Sequence, residues 1–354
     1  MKYIDKIMLF DEKKTLAFFF LAALALRLAA VINLPTYRQV PTVDDAQYDT
    51  LAVNLLAGKG FTLDSATGKP TSWRMPLYPL FLASIYSIFW HNYLAVRIIQ
   101  CIMSALLCIM IFYIGKMTFG RKTGFFAALI LAFYQPYIYY IYYGGPAFLF
   151  SENLFNFLFL IFVLFLGKEF FVNPSLKNSI ISGILLGLLV LTRPVIALFP
   201  VFLFALLLYK TKRAFIFTLK RMALLFVSFM IVLLPWIIRN YIVNKAFIPF
   251  STQAGFVLLS GNNPVSVGSA FPENFLTQDE KKKLSSMSEL EIDKMYRRHA
   301  KEFMLRNYKK LPKLFFKKIL VMWDFFATNY YSNSVISRRY NIWYSVVFIF
   351  ALFG

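Results

Sequence analysis

Two adjacent carboxylates, Asp44 and Asp45, open the segment VDDAQYDTLAVNLLAGKGF. The chain has 38 Lys and Arg against 17 Asp and Glu, so a paired acid stands out as a candidate proton acceptor. Tyr48, Leu51, Ala52 and Leu55 follow at helical spacing. The spacing predicts a short helix with the carboxylates at its N-terminus, where backbone N–H groups favour the ionised form. The Gly-Lys-Gly at 58–60 ends that helix, since glycine accepts the left-handed cap. A carboxylate held this way is a positioned general base, which could take a proton from an attacking hydroxyl. The plainer reading is a pair of solvated loop residues. Asp45 points about 100° away from Asp44 around the helix axis, and is assigned to holding the loop or the acceptor.

Other polar residues stand where apolar runs begin or end. Arg74 precedes MPLYP, Glu152 lies in SENLF, Arg193 in LTRP, Arg239 and Asn240 in PWIIRNY, and Asn262 and Asn263 in GNNP. Ionisable groups at membrane depth are costly and mark functional sites by default. Each has a plainer rival: Arg193 and Arg239 as snorkelling side chains, Glu152 as a helix-terminal charge, Asn262 and Asn263 as a turn. Arg27 and Arg97 either pair with the carboxylates or snorkel. The tyrosines between Tyr134 and Tyr143 read as an interfacial belt. Cys101 and Cys108, seven apart on one helix, cannot form a disulfide and read as small buried side chains. His91 and His299 are the only histidines, and no zinc-ligand spacing exists. No metal or cofactor is expected; a divalent ion is compatible with the carboxylates but not required. His299 reads as a core residue.

The elements that must carry these residues are membrane helices. Hydrophobic residues make up 59% of the chain, more than a soluble domain can hide. Apolar runs fall at about 15–33, 94–115, 125–143, 149–167, 179–193, 195–209 and 222–238. A last run begins near Ile342. The fold class is therefore all-α and polytopic. The net charge of +21 lies between apolar runs, so it reads as membrane anchoring and not as a nucleic-acid surface. The stretch at 76–90 is short and contains two prolines. If the N-terminus is cytoplasmic and this stretch does not cross, the basic loops at 115–124, 167–178 and 209–221 all lie inside, as the positive-inside rule asks. The predicted organisation is then a transmembrane bundle over 1–238, with an extracytoplasmic loop at 34–93, and an extracytoplasmic helical region at 239–341. Residues 342–354 begin a truncated final helix. In the second region TQDE (277–280) and SELE (288–291) each predict a capping box. Residues 311–331 predict a helix lying in the membrane interface, with Pro312 near its start.

Taken in order, DDAQYDTLAVNLLAGKGF, RMPLYPLFLASIY, SENLFNFLF, LTRP and PWIIRNYIVNKAFIPFSTQAGFVLLSGNNP resemble membrane glycosyltransferases of the GT-C fold. The branch is that of dolichyl-phosphate-mannose protein mannosyltransferases and lipid A aminoarabinose transferases. The resemblance runs from about residue 15 to 325 and implies a GT-C type helical bundle with extracytoplasmic loop helices. It also implies that Asp44 is the catalytic base, with Asp45 where the family carries Glu, and that Tyr48 is a site tyrosine. Arg74 is implied to meet the donor phosphate, here before MPLY where the family has PPLY. Arg193 and Arg239 join it as candidates for that phosphate, and Glu152, Asn262 and Asn263 as substrate contacts. The expected function is sugar transfer from a polyprenyl-phosphate donor to a hydroxyl or amine of a lipid, glycan or protein acceptor. It would occur at the outer face of the cytoplasmic membrane, by a single inverting displacement. The competing class is a polytopic lipid or solute transporter or flippase, which predicts charges at the bilayer midplane and two related halves; neither is visible.

Overall fold

The computed structural model describes residues 11–33, 43–134, 138, 150–168, 175–210, 215–264 and 272–322. The expected final helix at 342–354, most of the Tyr134–Tyr143 run and the second half of the interfacial stretch lie outside these residues. Among the described residues the fold is all-α, with a single isolated bridge between Thr62 and Pro70 in place of any sheet. Two compact units form: one from residues up to Pro70 together with Met75–Arg239, the other from Thr71–Arg74 and Asn240 onward.

The first unit begins with α1 (Glu12–Ile32), followed by the short α2 (Val43–Leu56) and α3 (Leu77–Phe89). Then come α4 (Tyr93–Phe119), α5 (Arg121–Phe133), α6 (Ser151–Gly167) and α7 (Leu176–Thr192). After a 3-10 turn (Pro194–Ile196) follow α8 (Phe199–Lys210) and α9 (Phe215–Asn244). Among the described residues, α1, α4 and α9 are long and apolar enough to cross a membrane. Helices α4 and α5 form a hairpin, α1 packs on α4, α6 pairs with α7 and with α4, and α2 lies on α3.

Close packing in this unit relies on small residues, as expected where lipid supplies no hydrophobic drive between helices. A Cβ on Gly183 would come within 2.2 Å of the Leu225 carbonyl oxygen, and one on Gly187 within 2.6 Å of Val232 Cβ. Gly183 and Gly187, one helical turn apart, thus let α7 touch the backbone of α9. Arg27 is fully buried, which corrects the snorkelling reading of it. Its guanidinium donates to Ser104 Oγ at 2.7 Å, Ala23 O at 3.1 Å, and Ala132 O and Leu131 O at 3.2 Å each. Orphan carbonyls at the end of α5 are thereby satisfied by a side chain of α1. Arg97 is buried too, and so is not a snorkelling residue. Cys101 and Cys108 are free and buried, as expected.

The second unit contains α10 (Ala254–Gly261), α11 (Gln278–Lys283), α12 (Glu289–Arg306) and α13 (Leu311–Met322). Both capping boxes form, Thr277 with Glu280 and Ser288 with Glu291. Its core is Leu259, Leu276, Met295, Tyr296 and Ala300. His299 is not in it. Its Nε2 lies 2.9 Å from Glu280 Oε1, which also accepts from Arg298 at 3.2 Å. Residues Thr71–Arg74 join this unit because Glu289 accepts from the Thr71 hydroxyl, from Ser72 N at 3.0 Å and from Thr252 Oγ1 at 3.1 Å. The Ser72 hydroxyl adds a bond to Asn240 Oδ1 at 2.9 Å.

Candidate active site

Helix α2 carries the paired acids. Asp44 and Asp45 lie in its first turn, and the chain leaves it through Gly58 and Gly60 at φ of 71° and 82°. Lys59 N donates to Asn54 O at 2.9 Å and Gly58 N to Leu55 O at 3.2 Å, closing the helix with a left-handed turn that glycine adopts without strain. Leu51 and Ala52 are fully buried, and Tyr48 and Asn54 nearly so. Tyr48, Leu51 and Ala52 belong to the face predicted from spacing, while its fourth member, Leu55, is only partly buried and Asn54 is an addition. The two acids differ: Asp44 is exposed, whereas Asp45 is buried at 3% exposure, its Oδ1 accepting from Ala46 N at 3.1 Å.

Tyr48 leads from this helix into a polar network inside the first unit. Its hydroxyl donates to Ser151 Oγ at 3.5 Å, and its ring meets Tyr78 edge-on at 5.0 Å. Arg193 NH1 donates to the same Ser151 oxygen at 3.4 Å and forms an ion pair with Glu152. The pairing follows from the hairpin: Glu152 lies in the first turn of α6 and Arg193 is the C-cap of α7. Each charge therefore sits at the helix end whose dipole favours it. Glu152 does not cap α6 through its side chain, and Arg193 is held by an acid. Behind Ser151, Asn153 Nδ2 donates to Gln100 Oε1 and Gln100 Nε2 donates to the Tyr78 hydroxyl, both at 2.9 Å. A buried polar chain thus links α3, α4 and α6. Buried polar groups of this kind are costly unless paired, and paired they fix one arrangement.

Arg239 belongs to the same unit but to another cluster. Its guanidinium lies over the rings of Trp236 at 5.0 Å and Phe61 at 5.4 Å, and NH2 donates to Phe61 O at 3.2 Å. It thereby pins the loop that follows α2. Within that loop Thr62 is fully buried, donating to Lys69 O at 2.5 Å, while Asn54 Nδ2 donates to Thr62 O at 2.8 Å. Hydrogen bonds from the Thr67 hydroxyl and from the Thr67 and Ala66 amides hold the Asp64 carboxyl below its ordinary range.

The remaining expected residues lie in the second unit. Arg74 is buried, next to Trp73, whose ring packs edge-on against Phe256 at 5.9 Å. Asn262 donates to Leu258 O at 2.8 Å and accepts from Lys318 Nζ at 3.3 Å. Asn263 donates to Leu259 O at 2.8 Å and Ser260 O at 3.0 Å. Both amides spend their N–H groups closing α10. Among the described residues no cluster of three or more His, Cys, Asp or Glu side chains could hold a metal ion.

Sequence reasoning missed Ser151, Gln100, Asn153 and Tyr78. The signal for Gln100 and Asn153 was a lone amide within an apolar run, which must find a partner or be expelled. It also missed Asp49, whose carboxylate collects the side chains of Tyr86, His91 and Tyr93.

The family model described as dolichyl-phosphate-mannose-protein mannosyltransferase matches residues 69–238. No curated protein and no solved structure matches the chain. The matched segment spans just under half of the chain and includes α3 to α7, which carry Tyr78, Gln100, Ser151, Glu152 and Asn153, and also Arg193. It supports a GT-C type, mannosyltransferase-like protein with an all-α polytopic membrane fold.

Proposed function

We propose that this GT-C type, mannosyltransferase-like membrane protein moves a sugar from a polyprenyl-phosphate donor to an acceptor hydroxyl or amine, outside the cytoplasm. The observation that carries the proposal is the contrast within one helix turn. Asp44 is open to solvent, while the face behind it is locked through Tyr48 onto Ser151 of the matched segment. An exposed acid on an immobile helix is suited to receive a mobile substrate's proton.

In the reaction Asp44 accepts the proton of the acceptor as its oxygen or nitrogen attacks the anomeric carbon. The new bond forms on the face opposite the departing phosphate, so the anomeric centre inverts. The old carbon–oxygen bond breaks and its electron pair leaves with the lipid phosphate. Negative charge grows on that phosphate, and guanidinium groups are the fitting donors to it. Arg74 is assigned this contact by the resemblance. Arg193 and Arg239 are further candidates, the first paired with Glu152 and the second lying over an aromatic pair. Asp45, buried beside the base, holds the helix head. The chemistry needs no metal ion.

The test is substitution with kinetics and binding measured separately, using dolichyl-phosphate mannose as the donor. Asp44→Asn keeps the shape but cannot act as a base, and is expected to slow transfer by about a hundred- to ten-thousandfold with donor binding intact. Asp45→Asn is expected to be impaired less. Transfer that survives Asp44→Asn but disappears with Asp45→Asn would exchange the two roles; normal transfer in both would remove the pair from catalysis.

A further inference from the structure

Asp49 lies one turn beyond Asp45 on α2 and is only 14% exposed. Its carboxylate gathers three side chains from two other elements and the turn between them. Oδ1 lies 2.7 Å from the Tyr86 hydroxyl of α3 and 2.8 Å from His91 Nε2, and Oδ2 accepts from the Tyr93 hydroxyl of α4 at 2.9 Å. A carboxylate only accepts, so the imidazole must present its N–H at Nε2. The ring is fixed as well: Tyr86 meets it edge-on at 4.8 Å and Tyr93 at 4.9 Å. Trp90, just before His91, adopts φ of 56°, a left-handed conformation that side chains other than glycine's rarely take and that persists only where surrounding contacts enforce it. Asn92, just after, accepts from Leu94 N and Ala95 N to start α4. The turn is thus bound on both sides of the histidine.

Successive residues of a helix are about 100° apart. Counting from Asp44, Tyr48 falls about 40° round, Asp45 about 100° and Asp49 about 140°. Leu51 falls at about 340° and Ala52 at about 80°, so the buried arc runs from Leu51 through Tyr48 and Ala52 to Asp45, with Asp49 at its far edge; Asp44 lies over that arc and is exposed at the first turn of the helix. Tyr48 leads to α6, Asp49 to α3 and α4. We infer that Asp49 and His91, with Tyr86 and Tyr93, form a positioning device that fixes the seat and rotation of α2 on α3 and α4 and so the position of Asp44. The inference rests on the reading of Asp44 as the base, but its geometry can be tested without turnover.

The experiment uses the full chain in lipid nanodiscs, with Asp44→Cys as a reporter of helix rotation. The native thiols Cys101 and Cys108 are fully buried and do not compete for an impermeant maleimide. Adding Asp49→Ala or His91→Ala frees the helix to sample other rotations, so the reaction rate at position 44 is expected to change at least threefold. His91→Gln keeps an N–H donor and is expected to reverse at least half of that change. In chains retaining Asp44, Asp49→Ala should lower kcat with dolichyl-phosphate mannose at least tenfold while KM stays within twofold. An unchanged maleimide rate overturns the inference, whatever happens to turnover. So does an equal response of His91→Gln and His91→Ala together with a lost cooperative melt, which marks a merely structural role. A changed maleimide rate with the cooperative melt retained upholds the positioning device even if no chain transfers sugar, and then only the transferase reading fails.

Discussion

At the scale of single residues, Arg27 shows how a charge can serve inside a bundle. It supplies donors in several directions at once, to a hydroxyl and to three carbonyls. An unsatisfied buried group costs about 1–3 kcal/mol. Arg27→Met is therefore expected to lower the melting temperature of the detergent-purified chain by several degrees, and Arg27→Lys to recover only part, since one ammonium cannot reproduce a planar fork. A melt unchanged in Arg27→Met would show that these bonds contribute nothing net. Glu280 offers a second test, in the second unit. Its carboxyl is pulled down to about 2, chiefly by the Thr277 backbone N–H and further by the His299 side chain, against a smaller opposing effect of burial. A depressed carboxyl stabilises the fold above its unfolded value of 4.5, and that contribution is lost as pH falls towards 2. Melting temperatures of wild type and Glu280→Gln are thus expected to differ above pH 4.5 and to converge near pH 2; a constant difference across that range would refute the linkage. The acids of α2 were legible in the sequence because their type is rare here and their spacing helical. The polar network behind them was not, because Tyr48, Tyr78, Gln100, Ser151 and Arg193 meet only after distant segments pack.

At the scale of elements, signals confined to a few consecutive residues read correctly. Both capping boxes were written in four-residue strings, and both form. The Gly-Lys-Gly stop of α2 needs only the left-handed preference of glycine, and Gly58 and Gly60 adopt it. Signals that depend on a neighbour read less well: His299 has the spacing of a core residue, yet Glu280 from another helix draws it aside. The same limit hid the contact of α7 with α9. Gly183 and Gly187 appear in the sequence as two ordinary glycines, and only packing shows the space they leave. Because a Cβ at Gly183 would meet backbone, not a flexible side chain, the helices must separate to accept one. Overpacking costs about 1–3 kcal/mol. Gly183→Val is expected to reduce the thermal stability of the purified chain by that order, whereas Gly68→Ala at an open loop position should cost less, mainly through its φ of 65°. Equal losses in the two variants would mean that α7 and α9 are not in close contact.

At the scale of the whole molecule, the membrane orientation turns on α3. Its 13 residues rise about 20 Å, against about 30 Å of hydrocarbon, and one face is committed to protein through Tyr78, Leu82, Ile85 and Tyr86. A helix this short, joined to α4 through Trp90, His91 and Asn92, suits a re-entrant or interfacial element. If it does not cross, α4 runs inward and its hairpin with α5 places Lys116, Arg121 and Lys122 at the cytoplasmic face, where basic loop residues are retained. The loop after α2 and the helices α11 and α12 then lie outside with Asp44. Ala66, Ser285 and Lys122 are exposed, and the buried native thiols again leave the background low. In intact cells, cysteines introduced as Ala66→Cys and Ser285→Cys are expected to react with an impermeant maleimide, and Lys122→Cys only after the membrane is opened. Reaction at position 122 in sealed cells would mean that α3 crosses. With the N-terminus inside, Asp44 would remain on the outer side, because α1 alone precedes it among the described helices, but the short basic loops would then face outward against the charge rule. Protection of position 66 would be more damaging, since it would put the proposed base inside, away from a donor sugar held at the outer surface.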